Sequence, residues 1–261
     1  MATPEFGYAV AKDESHVLHL YGDDDARLAR DVGDYLRAGL SRGGGALVIA
    51  TREHQAQIWA ELEAAGYSCA EAERTGRLLR LDAHQTLEQV LRAGKPDWAL
   101  FEATINRALE QVQGSSGSAD RRAFGELVGL LWKAGELAAA IELEVFWNQL
   151  LKQHSFRLFC AYPIDIFGGE FRIGNLSSLL SAHTHFFSSN PALEVAVNRA
   201  LDEVLGPRAA RMREVMETMA TGSSTVVPRA ERMILWLRNM VPDQADEILE
   251  RARQYYRATP N

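Results

Sequence analysis

The chain has no run of roughly 18 apolar residues, so it offers no candidate membrane-spanning helix. It lacks a basic excess: the formal net charge is -7, which argues against general nucleic-acid binding. Cysteine is scarce. Cys69 and Cys160 sit far apart, and neither has a partner at metal-ligand spacing. Reduced thiols and a cytoplasmic setting are therefore expected, with no metal and no cofactor. Met1 to Tyr8 lacks the basic head and apolar core of a secretion signal. No Gly-x-Ser-x-Gly elbow is present, so no nucleophile–base pair stands out. What remains is an ordinary globular composition, 47% hydrophobic over 261 residues. That suffices for one large α/β domain, or for a domain of about 180 residues with a helical appendage.

One further absence is local. His16 to Tyr21 reads as a short strand, Gly22 follows, and an apolar-periodic helix starts at once. Nucleotide-binding α/β proteins hold phosphate on this strand–glycine–helix layout, using glycines, a Lys and a hydroxyl residue. Here the loop supplies one Gly and then Asp23, Asp24 and Asp25. Three carboxylates occupy the positive field of the helix start and repel a triphosphate. Binding or sensing on a scaffold without catalysis is one reading. A solvated N-cap and first turn is the simpler one. ATP turnover is expected to be absent on either.

The rest of the chain alternates strand and helix. Residues 26–40 form a periodic helix ended by Gly43-Gly44-Gly45, and 46–50 are a continuous apolar run suited to a buried parallel strand. Thr51 caps a helix from about Glu53 to Ala65. Tyr67 to Glu73 reads as a short strand or irregular piece, 78–82 as a strand, and 83–91 as a helix. Gly94 to Asp97 is a turn before a helix over 98–112, and Gly114 to Ser118 a short linker. Residues 121–126 fit a strand or a helix. A helix over 137–151 carries Leu137, Ile141, Glu144 with Val145, and Leu151 on its period, and 156–161 is a strand closed by Pro163. Residues 176–187 read as a short helix before the Ser188–Pro191 punctuation. Residues 192–221 and 228–255 are helical, separated by the Gly222–Thr225 linker.

The segments His16–Gly22, Leu47–His54, Arg122–Trp132, Leu143–Leu151, Leu158–Pro163 and Ala182–His185 stand in the order and spacing of a known family. The chain resembles the methanogen/methylotroph, DcmR-type sensory (MEDS) domain over roughly residues 15–187. The resemblance implies a sensory input module of prokaryotic signalling proteins, on a divergent relative of the RecA/KaiC ATPase fold. It also implies a small organic ligand, and output through a histidine kinase or a transcription regulator. The chain carries no kinase phosphoacceptor or ATP-binding segment and no convincing helix-turn-helix, so a free-standing sensor or a fragment of something longer is expected.

The expected fold is thus a three-layer α/β/α sandwich with a mainly parallel sheet of about five strands. Its topology is RecA/KaiC-like, resembling P-loop NTPases, with a degenerate phosphate loop. The domain spans 9–187, and a C-terminal helical element spans 192–257. In open parallel sheets, loops leaving the C-terminal strand ends converge on one edge. That edge collects Tyr21, Gly22 and Asp23, then Thr51, Arg52 and His54, then Asp82 and His84. Glu126 joins if 121–126 is a strand, and Tyr162, Asp165, His183 and His185 come last. These are the candidate ligand-binding residues; none is assigned a catalytic role. His183 and His185 would share a face in a strand and diverge in a helix. A packing or hydrogen-bonding role is the simpler account of either, and a core position that of Cys160.

The principal expectation is a non-catalytic, ligand-responsive regulatory module. The alternatives are a hydrolase using Glu126 or His54 as base, and a purely structural interaction protein. The apolar tail sustains no heptad, so a packed helical subdomain that mediates a homodimer is expected. A tail folded on its own sheet domain is the competing reading.

Overall fold

The structure, a computed structural model, describes residues 15–114, 120–187, 191–220 and 227–258. Residues 9–14 of the expected domain lie outside these, as do most of the 114–118 linker, residues 188–190 and the 222–225 linker.

The elements are, in chain order, β1 (His16–Leu20), α1 (Asp25–Leu40), β2 (Ala46–Ala50), α2 (Arg52–Ala64), α3 (Cys69–Arg74), β3 (Leu78–Asp82) and α4 (Ala83–Val90). Then come β4 (Leu91–Arg92), β5 (Lys95–Pro96), α5 (Trp98–Gln111), β6 (Arg122–Gly125), α6 (Leu127–Lys133), α7 (Leu137–Gln153) and β7 (Arg157–Tyr162). The chain continues through α8 (Ile173–Ala182), β8 (His185–Phe187), α9 (Ala192–Leu205), α10 (Arg208–Ala220), α11 (Arg229–Met240) and α12 (Pro242–Ala258).

The main sheet has six strands in the order β3-β2-β6-β7-β1-β8. The ladders from β3 through to β1 are all parallel. The β4–β5 pair is a separate antiparallel hairpin, so strand pairing in the chain as a whole is mixed. β2 is buried at every residue, as its Ala-Leu-Val-Ile-Ala sequence requires of a strand covered on both faces.

The two faces follow from the pleat. Phe159 of β7 meets Tyr35 of α1, with ring centroids 5.0 Å apart. A Cβ on Gly125, on the opposite side of the neighbouring strand, would stand 3.4 Å from Trp147 of α7. So α1 and its neighbour α2 cover one face, and α4 to α7 cover the other. Trp147 packs edge-on against Phe101 of α5 there, with centroids 4.9 Å apart. The connections after β1 and β2 therefore run to one face, and those after β3 and β6 to the other. Between β2 and β6 the direction reverses, and such reversals open a crevice at the carboxyl ends of the strands.

Three readings change, and the alternative left open at 121–126 resolves. Residues 67–73 contain the helix α3, because Ser68 accepts from the Glu71 amide and starts a turn. Gly94 to Asp97 belongs to a hairpin whose turn takes positive φ at Ala93 (51°) and Gly94 (78°). Residues 122–125 are a strand, with Glu126 just beyond it. The helix expected over 176–187 ends at Ala182 as α8, and 185–187 form β8, since the Thr184 amide and hydroxyl both bond the His16 carbonyl.

Contacts divide the chain into two compact units. One comprises residues up to Pro163 with Ala182–His185, and the other comprises Ile164–Ser181 and Phe186–Asn261. In the second unit, α9 and α12 supply buried Leu201, Leu205, Ile248 and Leu249. Buried Arg238 of α11 donates to the Phe167 carbonyl at 2.6 Å and to Asp246 at 3.2 Å. No helix among the described residues is long and apolar enough to cross a membrane.

Candidate functional site

Of the sequence-derived candidates, Tyr21, Thr51, His54 and Glu126 lie together at the reversal between β2 and β6. Glu126 follows β6 directly, and its amide donates to the Ile49 carbonyl at 2.9 Å. Its side chain does not cap its own helix. It turns instead to the start of α2, where Oε2 accepts from the Thr51 amide at 2.7 Å and Oε1 meets Nδ1 of His54. A carboxylate at this spot answers the unpaired amides and positive end of α2. Thr51 in turn caps α2 by accepting from the His54 amide. The other imidazole nitrogen, Nε2, lies 3.3 Å from Asp25, the first residue of α1. Tyr21 closes the group edge-on to His54, with centroids 5.9 Å apart.

The result is a relay of Asp25, His54 and Glu126 across the mouths of β1, β2 and β6. Burial alone would lower the His54 pKa. The hydrogen bond and charge of Glu126, with those of Asp25, outweigh it and raise the group above its ordinary value. An imidazolium with N–H groups on both sides suits two flanking carboxylates. Burial, with Glu126 and Asp25 nearby, pushes the Tyr21 phenol up, so it stands as a neutral hydroxyl. Asp24 accepts from the Arg27 amide and is the N-cap of α1, and Gly22 takes the positive φ (64°) of the turn. The acidic loop is therefore a cap and a His54 partner. The edge can hold and pass a proton and can hydrogen-bond a neutral or cationic guest. It carries no phosphate-binding Lys.

Other candidates lie apart from this relay. Asp82 caps α4 by accepting from the Gln85 amide, and it pairs with exposed Arg52 at 3.2 Å. His84 is exposed on α4, and Asp23 is exposed. Asp165 belongs to the second unit, where it pairs with Arg253 at 2.5 Å. Tyr162 and His183 face a different centre, and half-buried His185 starts β8.

That centre lies under the sheet, on the face covered by α7. Register places His16 beside Leu158, Leu18 beside Cys160 and Leu20 beside Tyr162, so these side chains share one face. Glu144 of α7 projects onto it and is wholly buried. Its Oε2 lies 3.1 Å from His16 Nε2, and its Oε1 lies 3.3 Å from His183 Nε2. The Tyr162 hydroxyl donates to Oε1 at 2.5 Å, and the Cys160 thiol lies 3.8 Å from Oε2. Asn148, one turn along α7, binds both His16 Nδ1 and the Ala182 carbonyl. Burial works to raise the Glu144 pKa, but His183 and His16 overcome it and hold the group well below the carboxylate range. Burial and the Glu144 charge push the Cys160 thiol and the Tyr162 phenol well up.

Sequence reasoning passed over His16, Asn148 and the role of Glu144. One signal was present: Glu144 sits on the apolar period of its helix, where an unpaired carboxylate would cost several kcal/mol, and so requires partners.

Residues 15–184 match the MEDS family, described as the MEthanogen/methylotroph, DcmR Sensory domain. No curated protein and no solved structure matches the chain. The match covers well over half of the 261 residues, and the chain belongs to the MEDS family. Residues 15–184 are accordingly a non-catalytic sensory module of signal transduction.

Proposed function

We propose that this module senses a small organic molecule at the reversal between β2 and β6, with Tyr21, Thr51, His54 and Glu126 as its polar contacts. The observation that carries this reading is the Asp25–His54–Glu126 relay, in which buried His54 and Glu126 meet exposed Asp25 at the strand edge where open α/β sheets take ligands. A guest that competes for Glu126 or His54 would alter the Thr51 amide contact and so the start of α2. In this reading the fold is a divergent RecA/KaiC-like one whose phosphate loop has become a carboxylate-bearing cap. Residues 9–187 act as the sensory domain, and 192–257 act as the helical output element, in a cytoplasmic protein. The signal passes by contact to a histidine kinase or a transcription regulator, and the helical element joins two copies.

A thermal-shift series with small halocarbons and alcohols tests the sensing claim, using the full chain and Tyr21→Leu. A concentration-dependent rise in midpoint for the wild type, reduced at least several-fold in the variant, supports it. No shift with any compound, or an equal shift in both proteins, rejects it. Light scattering at tens of micromolar decides the dimer, and a monomer there rejects it.

A further inference from the structure

The buried centre on the α7 face carries a claim independent of the ligand edge. His16, Glu144, Cys160 and His183 each offer a ligand atom, and these atoms all lie within 4.8 Å of one another. His16, Glu144 and Cys160 are 0% exposed and His183 is 5% exposed. The four come from distant parts of the chain: two parallel strands, a helix, and the turn between α8 and β8. We propose that His16, Glu144, Cys160 and His183 form a closed site for one divalent transition-metal ion, with zinc the best fit.

Three observations carry this. The first is spacing. In a tetrahedral shell with bonds of about 2.0 to 2.3 Å, neighbouring donors stand about 3.3 to 3.8 Å apart. Here His16 Nε2 lies 3.1 Å from Glu144 Oε2 and 3.4 Å from Cys160 Sγ. Cys160 Sγ lies 3.8 Å from Glu144 Oε2, and His183 Nε2 lies 3.3 Å from Glu144 Oε1. Small side-chain adjustments turn this cluster into a coordination shell.

The second is the tautomer of His16. The Asn148 amide nitrogen lies 2.8 Å from the Ala182 carbonyl, which can only accept. The Asn148 oxygen is thereby turned to His16 Nδ1, at 3.1 Å, and Nδ1 carries the hydrogen. Nε2 of a neutral His16 then aims a lone pair at the Glu144 carboxylate. Two lone pairs at hydrogen-bond distance repel unless a proton or a metal ion lies between them. This is the way a metal-binding imidazole is held from behind. The Tyr162 hydroxyl, 2.5 Å from Glu144 Oε1, supports the carboxylate in the same manner.

The third is charge. A site this deep must be close to neutral. A divalent ion with one carboxylate, one thiolate and two neutral imidazoles sums to zero. Metal entry releases the Cys160 thiol proton, together with any extra imidazole proton, to solvent. A nitrogen, oxygen and sulfur donor set with no open position suits zinc in a structural role.

The test is elemental analysis of the full-length chain, followed by cobalt substitution. About one zinc per chain, retained through dialysis against a weak chelator, is expected. After replacement of zinc, the wild-type cobalt form should show a thiolate-to-cobalt charge-transfer band in the near ultraviolet. Cys160→Ser should abolish that band. Two results overturn the proposal: less than about a tenth of a metal ion per chain both as purified and after reconstitution, or bound cobalt with no thiolate band in the wild type. The second is read on the unmodified protein, so it stands even if the variant fails to fold.

Discussion

Replacing Glu126 and His54 singly and together is the sharpest test of the strand-edge relay. Glu126 is 3% exposed and makes two hydrogen bonds, to the Thr51 amide at 2.7 Å and to His54. Glu126→Gln keeps an oxygen for Thr51 but turns its amide nitrogen toward His54. Two charge-assisted bonds become one neutral bond and one mismatch, a loss of about 2–3 kcal/mol. His54→Gln removes the same pairing from the other side, at about 1–3 kcal/mol. Because the two residues touch, the losses should not add, and a coupling of about 1–2 kcal/mol is expected. The pH dependence has a definite sign. The His54 pKa is raised in the folded chain, so its contribution is complete below the unfolded value, about 6.5, and is lost as pH rises through the folded value. The coupling should therefore be largest near about pH 6 and shrink toward about pH 9. Hydrogen exchange of β2 and β6 amides in the four proteins reads the opening free energy of this part of the sheet. A coupling under about 0.5 kcal/mol at the lower pH, or one that grows with pH, refutes the relay.

Three further outcomes are expected. Gly129→Ala should destabilise the chain by about 1–3 kcal/mol, seen as a lower urea midpoint, because the new Cβ would stand 2.5 Å from the Ala161 carbonyl oxygen and drive α6 off β7. Thiol labelling of the native chain should be slow at neutral pH. Burial, with Glu63 and Glu73 nearby, has pushed the Cys69 thiol up to about 11, and Cys160 is buried and raised as well; rapid stoichiometric alkylation would contradict this. Magnesium-dependent ATP hydrolysis should be absent from the pure protein, since carboxylates fill the loop at Asp23 to Asp25. A coupled assay that finds turnover, abolished in Glu126→Gln, would reverse that expectation.

The sheet was legible because its signals are local. Ala46–Ala50 is a continuous apolar run with a glycine cluster before it and an N-cap after it, and it is β2 at those residues. Thr51 reads as a cap and Asp82 as a strand-end acid, and both cap helices by accepting from the third residue on. The misread segments are those where tertiary contacts outweigh local preference. Residues 185–187 follow a helical run, yet Thr184 is drawn to the His16 carbonyl and the chain extends beside β1. The relay was half legible. Strand ends on one edge can be collected from sequence, but only the reversal between β2 and β6 selects Thr51, His54 and Glu126 from the longer set.

The buried centre was hidden for a different reason. Its members are spread along the chain from His16 to His183, so no spacing motif exists to detect. His16 sits at the start of an apolar strand, and Glu144 was simply one more residue on a helical period. The informative quantity was chemical rather than positional: a carboxylate on the buried stripe of α7 must meet a positive charge. Of the buried basic side chains, His16 and His183 are ones whose ring nitrogens reach the Glu144 carboxylate. His16 and His19 both lie in the strand that parallel pairing brings beside Cys160's strand, the pleat puts His16 on the Cys160 face, and His183 directly precedes the Thr184 that bonds the His16 backbone. That chain of requirements leads from Glu144 to the whole cluster, but only once the order of β7 and β1 in the sheet is known.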